Sequence, residues 1–220
     1  MVGTDLKFYK ASGDDGGAIG TDEIVDGVLN NLVPDISATM AETGGVVYRK
    51  FFIKNTNAND TAKNVDIMLS SFASGDDTVV IYPGTDSDTT SDMDESTVYG
   101  VAMATAELDR SSKSVTYETD GSQDGTTLFR VADRIVFVDS KGVRLASASI
   151  ASIDASTITI NEDIPDSIAL NGAWVCNALS PGDMAPDATY SVWVRVTIPP
   201  YSTPMEDPSD RFSVATFFDA

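Results

Sequence analysis

The sequence predicts an all-β protein, a β-sandwich interrupted by a smaller β-domain, and two observations carry that prediction. Val46 to Lys54 (VVYRKFFIK) and Tyr190 to Ile198 (YSVWVRVTI) are the clearest strands, each alternating large apolar with polar side chains as a half-buried strand does. Between them lies a second cluster of short strand signals with its own turns and its own apolar set. The implied organisation is an N-terminal arm and linker over 1–40, a sandwich over 41–120 plus 178–220, and an inserted small β-barrel over 121–177.

Leu6, Phe8 and Tyr9 form a short apolar patch ahead of an acidic, glycine-rich run, Ser12 to Gly20. Such a segment cannot fold alone, and it is expected as an extended arm docked on a neighbour, with a strand of the protein's own sheet as the alternative. Thr21 to Pro34 is the best helix candidate, with Ile24, Val28 and Leu32 on one face and Thr21 or Asp22 as cap. Gly27, two asparagines and a closing proline weaken it, so extended chain is equally expected there.

Val46 to Lys54 runs into a polar turn, Asn55 to Asn64. Val65 to Ser71 places Val65, Ile67 and Leu69 on one face, Thr78 to Tyr82 adds a short strand, and Pro83 to Ser96 reads as an acidic loop. From Gly121 the predicted strands are Leu128 to Val131, Arg134 to Asp139, Val143 to Ser149, Ile150 to Ile153, Thr157 to Ile160 and Gly172 to Asn177. So many short strands in so few residues pack most economically as a barrel of the SH3-like kind. A turn is expected at Ser180 to Asp183. Tyr190 to Ile198 puts its valines on one face with Ser191, Trp193, Arg195 and Thr197 on the other, a proline-rich loop spans Pro199 to Pro208, and Arg211 to Phe218 reads as the last strand.

Composition narrows the function. The chain has 220 residues, 34 acidic against 14 basic, and a formal charge of −20. That charge repels phosphate backbones and anionic bilayers, so neither nucleic acid nor membrane is expected as a partner. The absence of histidine removes the usual serine and cysteine triads, histidine proton shuttles and nearly every catalytic zinc arrangement. No secretory signal or spanning helix is recognisable, and synthesis in a cytoplasm is expected. Cys176, in the run Ala173, Trp174, Val175, reads as a small buried hydrophobe.

Acidic clusters at Asp14 and Asp15, Asp76 and Asp77, Asp86 to Glu95, and Asp120 with Asp124 are read as solvated loop charge. Calcium is the one ion they could take, although the Asp120 to Gly125 run lacks the closing glutamate of a helix-flanked calcium loop. No catalytic residue and no cofactor is expected. Tyr48, Phe51, Phe52, Trp174, Trp193, Phe212, Phe217 and Phe218 read as core or interface rather than as a sugar platform. If the valine face is the core, Trp193 and Arg195 are exposed and serve as an interface anchor. The full set of interface candidates is Leu6, Phe8, Tyr9, Trp193, Arg195 and, in the proline-rich loop, Tyr201.

With the strands in place, the chain resembles a group of structural proteins encoded in tailed-phage morphogenesis regions, which pair an FxKN strand with a late VWxRxTxP strand. The matching residues are Phe52, Lys54 and Asn55, then Val192, Trp193, Arg195, Thr197 and Pro199. The block from Phe129 to Pro165 is similar to small barrel inserts that recur in phage structural proteins. The resemblance touches about half the chain, has no catalytic signature, and implies a virion component with an immunoglobulin-like sandwich. A non-enzymatic virion protein made in the host cytoplasm is therefore expected, with capsid decoration (cement) first and a tail or baseplate accessory second. Its partners would be major capsid or tail proteins and further copies of itself. The competing expectation is an immunoglobulin-like module that binds host-surface glycan through loop tips of the insert.

Overall fold

The computed structural model describes residues 5–25, 27–28, 31–73, 75–121, 124–202 and 212–219. Half of the chain is strand and 6% helix, which makes the fold all-β. Its strands are β1 (Leu6–Gly13), β2 (Gly16–Glu23), β3 (Gly45–Asn55), β4 (Ala62–Leu69), β5 (Thr78–Pro83), β6 (Val101–Ala104), β7 (Ser114–Glu118), β8 (Arg134–Val138), β9 (Arg144–Asp154), β10 (Thr157–Ile160), β11 (Trp174–Asn177), β12 (Leu179–Met184), β13 (Thr189–Ile198) and β14 (Val214–Asp219), with short helices α1 (Ala38–Thr43) and α2 (Gly125–Leu128). They form a five-stranded sheet in the order β2-β1-β3-β13-β5, a three-stranded sheet in the order β12-β4-β14, and a closed barrel in the order β10-β7-β6-β11-β8-β9.

The two strands most legible in the sequence are neighbours at the centre of the large sheet, paired antiparallel without a break from Thr189↔Lys54 to Ile198↔Gly45. Phe51, Ile53, Val192, Val194 and Val196 share one apolar cluster with Val65, Ile67 and Leu69 of the three-stranded sheet, the arrangement of two sandwich-like layers. A second cluster fills the barrel with Val115, Ile135, Phe137, Ile150, Ile158 and Val175, and takes in Val80, Tyr82 and Trp193 from the large sheet. Strands β8 and β11 serve both clusters. Their inward Ile135, Phe137 and Val175 line the barrel, while Val136, Val138 and Cys176 belong to the sandwich core. Burial on both faces is why these segments read as continuous apolar runs rather than alternating ones. The barrel is also fastened by charge: Arg134 Nε on β8 donates to both oxygens of the buried Asp66 on β4, at 2.9 and 2.7 Å, and Ser180 Oγ donates to Asp66 at 2.7 Å.

Several expectations are corrected. The first segment is no extended arm: β1 pairs with β3 from Leu6↔Asn55 to Lys10↔Phe51 and forms a hairpin with β2, because its alternating residues can complete an otherwise open ladder edge. Thr21 to Pro34 is not a helix where described: Glu23 ends β2, Ile24 N donates to Phe8 O, and Val25 and Val28 are exposed. The one longer helical turn follows at α1, where the Ser37 side chain caps Met40 N. Leu128 belongs to α2, capped by Asp124, not to a strand. The barrel begins at Val101 rather than Gly121: β6 and β7, which the sequence reading left out, pair with each other and β6 pairs with β11 inside it. Ser180 to Asp183 lies inside β12, whose register against β4 shifts around Gly182 at φ 82°. The proline-rich loop beyond Ser202, and Arg211, lie outside the described residues.

Candidate functional site

Residues directly opposite on neighbouring strands share a face of the sheet. On β13, Trp193 lies between Lys50 of β3 and Tyr82 of β5, and Arg195 lies between Tyr48 and Val80. These positions therefore set Lys50 and Arg195 among the rings of Tyr48, Tyr82 and Trp193, with Phe52 next along β3, on the face opposite the valines. The acidic loop that leaves β5 returns over it and supplies two carboxylates.

Asp88 closes the first position. Its Oδ1 is 2.5 Å from Lys50 Nζ, and its Oδ2 accepts from Trp193 Nε1 at 2.9 Å and from Thr85 N at 3.1 Å. Lys50 Nζ also donates to the carbonyls of Gly17 and Asp88, at 2.7 and 3.2 Å, and lies 4.9 Å from the centre of the Phe52 ring. The pair is sealed, with the Lys50 side chain 0% and that of Asp88 8% exposed. Burial works against the Asp88 charge, but the hydrogen bonds from Lys50, Trp193 and Thr85 outweigh it and hold the carboxyl below its ordinary range. Gly16 completes the seal: at φ 105°, a Cβ there would stand 2.6 Å from the Trp193 ring and from Asp88 O.

Glu95 closes the second position. Its Oε1 accepts from Tyr48 Oη at 2.9 Å, and its Oε2 accepts from Arg195 Nη1 at 2.6 Å and Tyr82 Oη at 3.4 Å. The Arg195 guanidinium lies 5.4 Å from the Tyr82 ring centre. Burial pushes the Tyr82 phenol well above its usual pKa, with Arg195 opposing and Glu95 adding to the rise. Tyr48 is raised too, by burial and then by Glu95. Both phenols keep their protons near neutrality and act as donors, not as bases.

The predicted interface residues are not gathered into one patch. Leu6 is in the core, and Phe8 and Tyr9 are half-buried on β1, with the Phe8 ring centre 5.9 Å from that of Phe51 and tilted against it. Trp193 is fully buried, because both faces of β13 are covered; it is no exposed anchor on this chain. Arg195 is partly exposed within its ion pair, and Tyr201 stands apart at 82% exposure. Lys50 escaped the sequence reading, and Asp88 and Glu95 are corrected: they fall in a run read as solvated loop charge, but Asp88 is buried against Lys50 and Glu95 is engaged by Arg195 and Tyr48. The signal was Lys50 beside the apolar run Phe51 to Ile53, where a lysine that becomes buried demands a counter-charge.

The loop acids fold the loop rather than converge. Asp92 accepts from Thr89 N and Oγ1, and Asp94 from Ser96 N, as local turn caps. Among the described residues no three acidic or cysteine side chains come together as metal ligands. No family model, curated protein or solved structure matches this chain.

Proposed function

We propose that the chain is a non-enzymatic structural component of a tailed-phage virion, with capsid decoration as its first position. One observation carries this reading. The motif residues Trp193 and Arg195 make contacts that close the fold, to Asp88 and to Glu95, so the motif is architectural and its ionisable groups are engaged in cohesion instead of turnover. The FxKN and VWxRxTxP strands are direct neighbours, with Phe52 opposite Ser191 and Lys54 opposite Thr189, consistent with one framework built around both. Within this reading the layered sheets are immunoglobulin-like and the barrel SH3-like, and the protein acts by contacts with capsid or tail proteins and with its own copies. Repeated weak contacts fasten a symmetric shell without any one tight interface.

Cryo-electron microscopy of intact particles from the source tests this. Density at three-fold or quasi-three-fold capsid positions would support decoration. Density confined to the tail would keep the virion reading and move the protein to a tail or baseplate role. Absence from every particle would overturn it, and loss of host attachment on changing the insert's loops would favour glycan binding.

A further inference from the structure

In a chain with a formal charge of −20, a basic side chain is expected to find a carboxylate. Every described lysine and arginine does so within 4 Å except Lys10, Arg49 and Lys141. Lys141 sits in an exposed turn, where its charge still lowers the pKa of the neighbouring Asp139. Lys10 and Arg49 differ, because both are half-buried and both line the same cleft.

The cleft holds about 180 Å³ and lies where β1 and β3 meet the segment carrying Leu32 and Pro34, lined also by Ala11, Gly13, Asp14 and Lys50. The pairing register explains the juxtaposition. Lys10 is opposite Phe51, and Arg49 lies two residues from Phe51 on the same strand, so Lys10 and Arg49 share a sheet face. Arg49 Nη1 donates to Tyr48 O at 2.8 Å, and the rest of its guanidinium fork has no acceptor among the described residues. Asp14 is too far from either cation for an ion pair. The volume is well below the roughly 300–1,000 Å³ of a small-molecule site, and suits a single carboxylate-bearing side chain with its stem.

We propose that this cleft receives an aspartate or glutamate side chain from an acidic segment of another polypeptide, its carboxylate taken by Arg49 and Lys10 while its methylenes lie against Leu32 and Pro34. The inference stands apart from the virion reading, since it needs only a partner of this chemistry. Two converging cations favour a carboxylate, and Arg49 offers the planar fork that matches one.

The test is an amide NMR titration of the full chain at low salt with a blocked peptide of alternating Asp and Gly, alongside inorganic phosphate and a blocked Asn-Gly peptide. Saturable shifts at Lys10, Ala11, Gly13 and Arg49 with the Asp peptide are expected. Lys10→Gln and Arg49→Gln are each expected to weaken them about tenfold or more, while Lys141→Gln leaves them unchanged. Thermal melts confirm that each variant is folded, and Lys10→Glu with Arg49→Glu serves as a second, charge-reversed pair. Concentration-dependent self-association lost in that pair would support the proposal and identify a second copy as the source. Equal shifts with phosphate, equal shifts with the Asn peptide, or no shifts at all would overturn it.

Discussion

On one face of β13, Val192, Val194 and Val196 share an apolar cluster with Ile67 and Leu69, whereas on the other face Trp193 is covered together with Lys50, Asp88, Arg195 and Glu95. Both faces belong to a strand with simple alternation, and a pleated strand offers them equal access to cover. The difference lies in what the cover must satisfy. The three valines need only shape and dryness from their cover; the tryptophan face needs a loop that returns carboxylates to named nitrogens, since a buried ammonium without a partner is costly. The same face also shows a gradient, from a sealed Lys50–Asp88 pair to an Arg195–Glu95 pair whose side chains are 29% and 41% exposed.

The largest break in this comparison is Trp193→Ala. It empties a fully buried site, costing about 3–5 kcal/mol by cavity formation, and removes a donor from Asp88, for roughly 1 kcal/mol more. Chemical denaturation measures the sum, and a loss below about 1 kcal/mol would mean that the loop cap does not hold this face. Asp88→Ala comes next. It strands the Lys50 ammonium in a sealed site and is expected to cost about 3–5 kcal/mol, most of it recovered when Lys50→Met accompanies Asp88→Leu.

The Asp88 pair also fixes a pH dependence. Its folded pKa lies below the unfolded value, so its stabilisation is fully present above the ordinary carboxylate pKa and is lost as pH falls through the lower, folded one. Asp88→Asn should flatten that acid limb in a series of melts; an unchanged limb would assign the acid sensitivity elsewhere.

On the valine face, Ile53→Val is expected to cost about 0.5–1.5 kcal/mol, with the same loss on either side of the carboxylate range and at any salt concentration. A pH-dependent loss there would show that the two faces are coupled. The smallest effect is expected at the half-exposed end: Glu95→Gln should cost about 0.2–1 kcal/mol and shrink as salt is added.

Legibility in the sequence followed the same physics. Strands β3, β4, β5, β8, β10, β13 and β14 were recognisable because their side chains alternate or run apolar and turn signals bound most of them. Strands β6 and β7 were not, and neither was β12, where Pro181 and Gly182 imitate a turn that pairing with β4 overrides. The site was legible only in outline: Trp193 and Arg195 drew notice, but Trp193 is buried where exposure was expected, because alternation cannot tell a solvent face from a second buried one.

Local chemistry alone determined that this chain is all-β, that it is acidic, and that the segments around Lys50 and Trp193 are strands. Tertiary structure decided that the first residues complete the large sheet, that the barrel opens at Val101, and that a loop of aspartates and one glutamate closes over the tryptophan face. Those outcomes rest on hydrogen bonds and ion pairs between residues up to a hundred or more positions apart, and no window of sequence contains both partners.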